Sequence, residues 1–97
     1  MSRRRFLVTY DISDPKRWRE VYDVVRSHGD RLQYSVYLCD LDGMEKIAMM
    51  TALRGVIDHH RDRVAIIDLG EPNSARGGMI EFMGPSRPLP AQGPQIV

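Results

Sequence analysis

Asp11 is the residue whose setting most suggests chemistry. It closes the run Phe6-Leu7-Val8-Thr9-Tyr10 and is followed at once by Ile12-Ser13-Asp14-Pro15-Lys16-Arg17. A carboxylate beside an aromatic ring at the end of an apolar strand, with basic residues opening the next helix, suits a phosphate or metal site. The plainer reading is that Asp11 opens the turn, because strand-to-helix turns are rich in aspartate. Spacing alone admits both.

One carboxylate is a poor magnesium site, since that ion is normally held by one or two carboxylates together with waters and phosphate oxygens. A two-fold dimer resolves the shortage if the ends of the first strands meet at the axis, where Asp11 faces its own copy. Other constellations are weaker. Ser13 and Ser35 have no histidine close in sequence, and His28, His59 and His60 read as helix-end residues favoured by the helix dipole. Adjacent residues on a helix point about 100° apart, so His59 and His60 do not converge on one ion. Gly77-Gly78 is followed by nothing resembling a phosphate-loop lysine.

The elements that must position these groups follow from periodicity. Phe6 to Tyr10 reads as a strand. Asp14 suits a helix cap and Pro15 the first helical turn, where a missing N–H costs nothing. Trp18, Val21, Tyr22 and Val25 recur at i, i+3, i+4, i+7, so a helix is expected over 15–28 with one buried face, stopped by Gly29. Arg31 to Cys39 alternates as one strand, or as two with a break near Tyr34-Ser35. Asp40 or Asp42 caps a second helix over about 43–59, with Met49, Met50, Leu53, Val56 and Ile57 on its buried stripe. Strands are expected over 64–69 and 79–83, the latter returning as a hairpin across a polar loop at 70–78. Beyond Gly84, four prolines make an extended arm ending in Ile96-Val97, which needs a sheet edge to dock on. The pattern is α+β, ferredoxin-like βαββαβ with an additional C-terminal strand: a domain over 1–84 and a docking arm over 85–97.

Size and charge narrow the function. Ninety-seven residues, 42% hydrophobic and 28% charged, make one globular domain. No apolar run approaches the ~20 residues that cross a bilayer. The basic start leads into no signal-like apolar stretch, and the lone Cys39 excludes an internal disulfide framework, so a cytoplasmic protein is expected. Net charge is only +1, yet residues 1–31 carry eight basic groups against five acids, hence +3. Twelve of the fourteen basic residues are arginine, whose planar fork matches phosphate oxygens.

Tyr10-Asp11-Ile12-Ser13-Asp14, Lys16-Arg17 and above all Gln33-Tyr34-Ser35-Val36-Tyr37-Leu38-Cys39-Asp40-Leu41 resemble the CRISPR-associated protein 2 family. The likeness continues through Asp62 to Leu69 and to the terminal Ile96-Val97. It implies a homodimer with exchanged C-terminal strands, and a metal-dependent endonuclease of spacer acquisition acting on single-stranded RNA or double-stranded DNA. It further implies Mg²⁺ shared between two Asp11 carboxylates, where it would activate a water for attack on the phosphodiester. Tyr10 would help shape that site, and Lys16, Arg17, Arg19 and Arg31 would contact nucleic acid. Trp18 departs from the family pattern and is read as core. The alternative is a non-catalytic dimeric adaptor that bridges copies of the CRISPR-associated integrase and braces duplex DNA.

Overall fold

Two helix caps and one alternating strand set the frame. The computed structural model describes residues 3–72 and 81–85. Strand β1 (Arg4–Asp11) buries Phe6, Val8 and Tyr10 while Leu7, Thr9 and Asp11 stay partly or fully exposed, the alternation of a sheet covered on one face. Helix α1 (Pro15–Arg26) begins where the Asp14 carboxylate accepts the Arg17 backbone N–H at 2.9 Å. Strands β2 (Asp30–Gln33) and β3 (Val36–Leu41) follow. The break between them is at Tyr34-Ser35, where Ser35 takes a left-handed φ of 60°.

Helix α2 (Gly43–Val56) opens on a reciprocal cap. The Glu45 N–H donates to Asp42 Oδ1 at 2.8 Å, and the Asp42 N–H donates to Glu45 Oε1 at 2.9 Å. Strand β4 (Arg63–Asp68) completes the described sheet.

The strand order is β2-β3-β1-β4 with every pairing antiparallel, which is the ferredoxin-like arrangement. Leu7 sits between Leu38 and Ile67, and Thr9 between Val36 and Ala65. The core lies on the helix-covered face, where Phe6, Val8, Tyr10, Tyr37, Cys39 and Leu41 meet Val21, Val25, Met49 and Leu53. Each large side chain there is worth about 2–5 kcal/mol against truncation to alanine.

Three expectations shift. Both helices stop short of the expected ends, α1 at Arg26 and α2 at Val56. His59 lies in the turn after α2, with Nε2 3.2 Å from the Arg54 carbonyl, and His28 Nδ1 lies 2.8 Å from the Val24 carbonyl, so both still serve a helix C-terminus. Gly29 is required for a different reason than a left-handed cap. A Cβ there would overlap the Leu38 carbonyl oxygen and Cys39 Sγ, so only glycine lets the chain pass this close to β3. Glu81 to Met83 belong to no strand, and the rest of the expected hairpin, with the arm from residue 86 onward, lies outside the described residues. No described helix is long and apolar enough to cross a membrane.

Candidate nucleic-acid and metal site

Strand alternation separates the two residues that head the sequence motif. Asp11 closes β1 opposite Arg63, exposed, on the face without helices. Tyr10 points the other way, into the core beneath α1. The two are adjacent in sequence and lie on opposite faces of the sheet, so Tyr10 does not flank the Asp11 carboxylate.

The Asp11 side chain has no hydrogen bond or ion pair among the described residues, which leaves its oxygens open to a hard cation. It fits one of the one or two carboxylates that Mg²⁺ takes. No group of three His, Cys, Asp or Glu side chains among the described residues is placed to hold a metal, so one chain supplies an incomplete set.

The four basic residues divide. Lys16 is exposed in the first turn of α1 and has no partner among the described residues. Arg17 is committed elsewhere: its Nε donates to Asp62 Oδ2 at 2.8 Å and its Nη2 to Asp62 Oδ1 at 3.3 Å, with Nη1 3.9 Å from Asp14 Oδ2. This fork ties the start of α1 to the turn before β4. The Asp62 side chain is buried, and its Oδ2 also accepts the Asp58 N–H at 2.8 Å. The Arg17 hydrogen bond, then the Asp58 N–H, hold the Asp62 carboxyl below its ordinary range.

Arg19 and Arg31 converge on a cluster of rings. Arg19 lies 5.5 Å from the Tyr22 ring centre and Arg31 lies 6.0 Å from that of Tyr34. Arg26, which sequence reasoning missed, also sits 5.5 Å from the Tyr22 ring centre. The spacing of Arg19, Tyr22 and Arg26 was the available signal, because i, i+3 and i+7 share a helix face.

Trp18 is the middle ring of a column. It stacks on Tyr22 at 5.2 Å and on Tyr34 at 5.6 Å between centroids, and Tyr10 meets it edge-on at 6.3 Å. The reading of Trp18 as core is therefore half the description, since the column runs outward to a Tyr34 ring that is 67% exposed. A cavity of about 220 Å³ opens at this end, and it joins a larger cleft of about 580 Å³ through Arg19, Tyr22, Arg31 and Tyr37. Burial pushes the Tyr10 phenol up to about 12, with the Ser35 side chain the one neighbour that lowers it.

The comparison with known sequences decides the family. The profile described as "CRISPR associated protein Cas2" matches residues 4–76, from the first residue of β1 past the end of β4. The chain belongs to the CRISPR-associated Cas2 family. A Rhodospirillum rubrum protein named CRISPR-associated endoribonuclease Cas2 is 46% identical over 65 residues, covering 67% of this chain and 64% of the relative. The chain thus spans just under two thirds of that relative's length. A Geobacter sulfurreducens protein of the same name is 35% identical over 71 residues, covering 73% of this chain and 75% of the relative. Among solved structures, Streptococcus pyogenes Cas2 superposes with a TM-score of 0.70 at 32% identity, over 82% of this chain and 99% of that one. The Cas2 fold and the ferredoxin-like sheet described above are thus the same architecture.

Proposed function

We propose that this Cas2 chain is a metal-dependent endonuclease of CRISPR spacer acquisition, acting on single-stranded RNA or double-stranded DNA as a homodimer with the CRISPR-associated integrase as partner. The observation that carries the reading is the open Asp11 carboxylate at the end of β1, one turn before a basic helix start. The names of the relatives support the nuclease activity, and endoribonuclease in particular.

In the dimer, the helix-free face is the contact surface. Leu7, Val36, Ala65 and Ile67 leave it apolar and partly exposed in a single chain. Two Asp11 residues brought together across the axis would hold one Mg²⁺, which when bound supplies Lewis-acid polarisation of a phosphoryl oxygen and a more acidic water. Lys16, Arg19 and Arg31 would neutralise the strand's phosphates. Arg17 would act at one remove, holding the helix that carries Lys16 and Arg19 against the turn that carries Asp62.

The test is cleavage of labelled single-stranded RNA and double-stranded DNA with Mg²⁺, comparing the wild type with Asp11→Ala. Loss of cleavage with binding kept is the expected result; retained cleavage removes Asp11 as ligand. A second reading, the non-catalytic dimeric adaptor, is favoured by the lack, among the described residues, of any group of three His, Cys, Asp or Glu side chains placed to hold a metal. It takes over if both proteins bind duplex tightly and neither cleaves.

A further inference from the structure

The ring column and the arginines around it are not needed to place a metal at Asp11, and they lie on the other side of the sheet. Tyr22, Trp18 and Tyr34 stack in sequence, with centroid separations inside the roughly 4.5–7 Å range of favourable aromatic pairs. The last ring of the column is open to solvent. A stacked column that ends on an exposed ring offers one more planar layer a place.

The cavity beside it is lined by Tyr10, Tyr37 and Ser35 as well as the column. At about 220 Å³ it falls below the roughly 300 Å³ at which drug-sized sites begin, so it suits one ring system with any attached chain left outside. Arg19 and Arg31 line both this cavity and the larger cleft, which Arg26 also lines, and Asp23 Oδ1 lies 3.3 Å from Arg19 Nε and 3.7 Å from Arg26 Nε. Arg31 has no ion pair among the described residues.

We propose that this cavity receives one unpaired nucleobase of a single strand, stacked on Tyr34, while Arg31 and Arg19 take the flanking phosphates. This rests on the proposed nucleic-acid function and assigns a base-holding subsite to it. Aromatic stacking of this kind tolerates any base and needs it unpaired, because a base inside a duplex has no free face. The slot therefore discriminates by strandedness.

Trp18 is the only tryptophan, so its fluorescence reports on the column directly. The probes are a short single-stranded RNA, the single-stranded DNA of the same sequence, a fully abasic strand of the same length and a blunt duplex, all titrated without Mg²⁺. The expected result is quenching of Trp18 by the single strands, with the tighter of the two naming the sugar, and no quenching by the abasic strand or the duplex. Tyr34→Ala should weaken single-strand binding by about 5- to 150-fold, the range a base–aromatic stack is worth, and leave the abasic strand unaffected. Tyr34→Phe should bind as wild type. Equal binding of the base-bearing and abasic strands, or an unchanged Tyr34→Ala, overturns the slot. The two proposals fail separately: quenching in a wild type that never cleaves sinks only the nuclease, whereas Tyr34→Ala cleaving with unchanged KM sinks only the slot.

Discussion

The Arg17 guanidinium grips the Asp62 carboxylate with two parallel hydrogen bonds, 2.8 and 3.3 Å long, across 45 positions of sequence. The Asp62 side chain is fully buried in this pair and that of Arg17 is three-quarters buried. A residue placed like a phosphate ligand therefore works first as a clamp.

The clamp makes acid stability depend on Asp62. Its folded-state pKa is depressed by Arg17, so its contribution is fully present above the unfolded value of about 3.9 and is lost as pH falls through the folded value. Circular dichroism of chemical unfolding below about pH 4 should show the wild type losing stability with falling pH more steeply than Asp62→Asn. Parallel curves would mean that the pair contributes nothing to folding.

Two glycines should respond in opposite directions. Gly29→Ala forces a methyl into the Leu38 carbonyl and Cys39 Sγ and should cost about 1–3 kcal/mol. Gly55 lies in the last turn of α2, and a methyl added there would meet no atom within 4 Å, so Gly55→Ala should stabilise by about 0.4–1 kcal/mol. Urea unfolding midpoints measure both, and a tolerated Gly29→Ala would show that β2 and β3 can part there.

Salt dependence separates the basic residues by role. Lys16→Ala and Arg31→Ala should each reduce the slope of log affinity against log salt by about 0.7 on a single strand or 0.9 on a duplex, one phosphate's worth. Arg17→Ala should instead lower the unfolding midpoint. An Arg17 variant with wild-type stability and a reduced salt slope would return it to the phosphate-binding group.

Removal of residues 85–97 tests the arm. If its terminal Ile96-Val97 docks on the partner's sheet, sedimentation at low micromolar concentration should show the truncated chain shifting toward monomer. A truncated chain that stays wholly dimeric would place the association on the sheet face around Leu7 and Ile67 alone.

Local signals carried most of the fold. Asp14-Pro15 and Asp42 with Glu45 announce both helix starts because a cap is made within three residues of itself. Phe6, Val8 and Tyr10 announce the covered face of β1 by period alone. What stayed hidden depended on distant partners. Nothing near Arg17 in sequence points to Asp62, and i, i+4 spacing joins Trp18 to Tyr22 but cannot bring in Tyr34 from the next loop. Tyr10 and Asp11 look like one site because they are neighbours, although a strand sends neighbours to opposite faces. The proposed Asp11 site needs a second copy of the chain, which a single sequence does not display.

Cys39 has a practical consequence. It is wholly enclosed, and burial pushes its thiol up to about 12, so at neutral pH it offers almost no thiolate to an alkylating reagent. As the chain holds no other cysteine, the folded native protein is in effect already the cysteine-free background that labelling studies usually have to engineer. A single cysteine substituted at position 11 or position 34 would carry a spin label or crosslinker alone, one testing the proposed two-fold axis and the other reporting on the open end of the ring column.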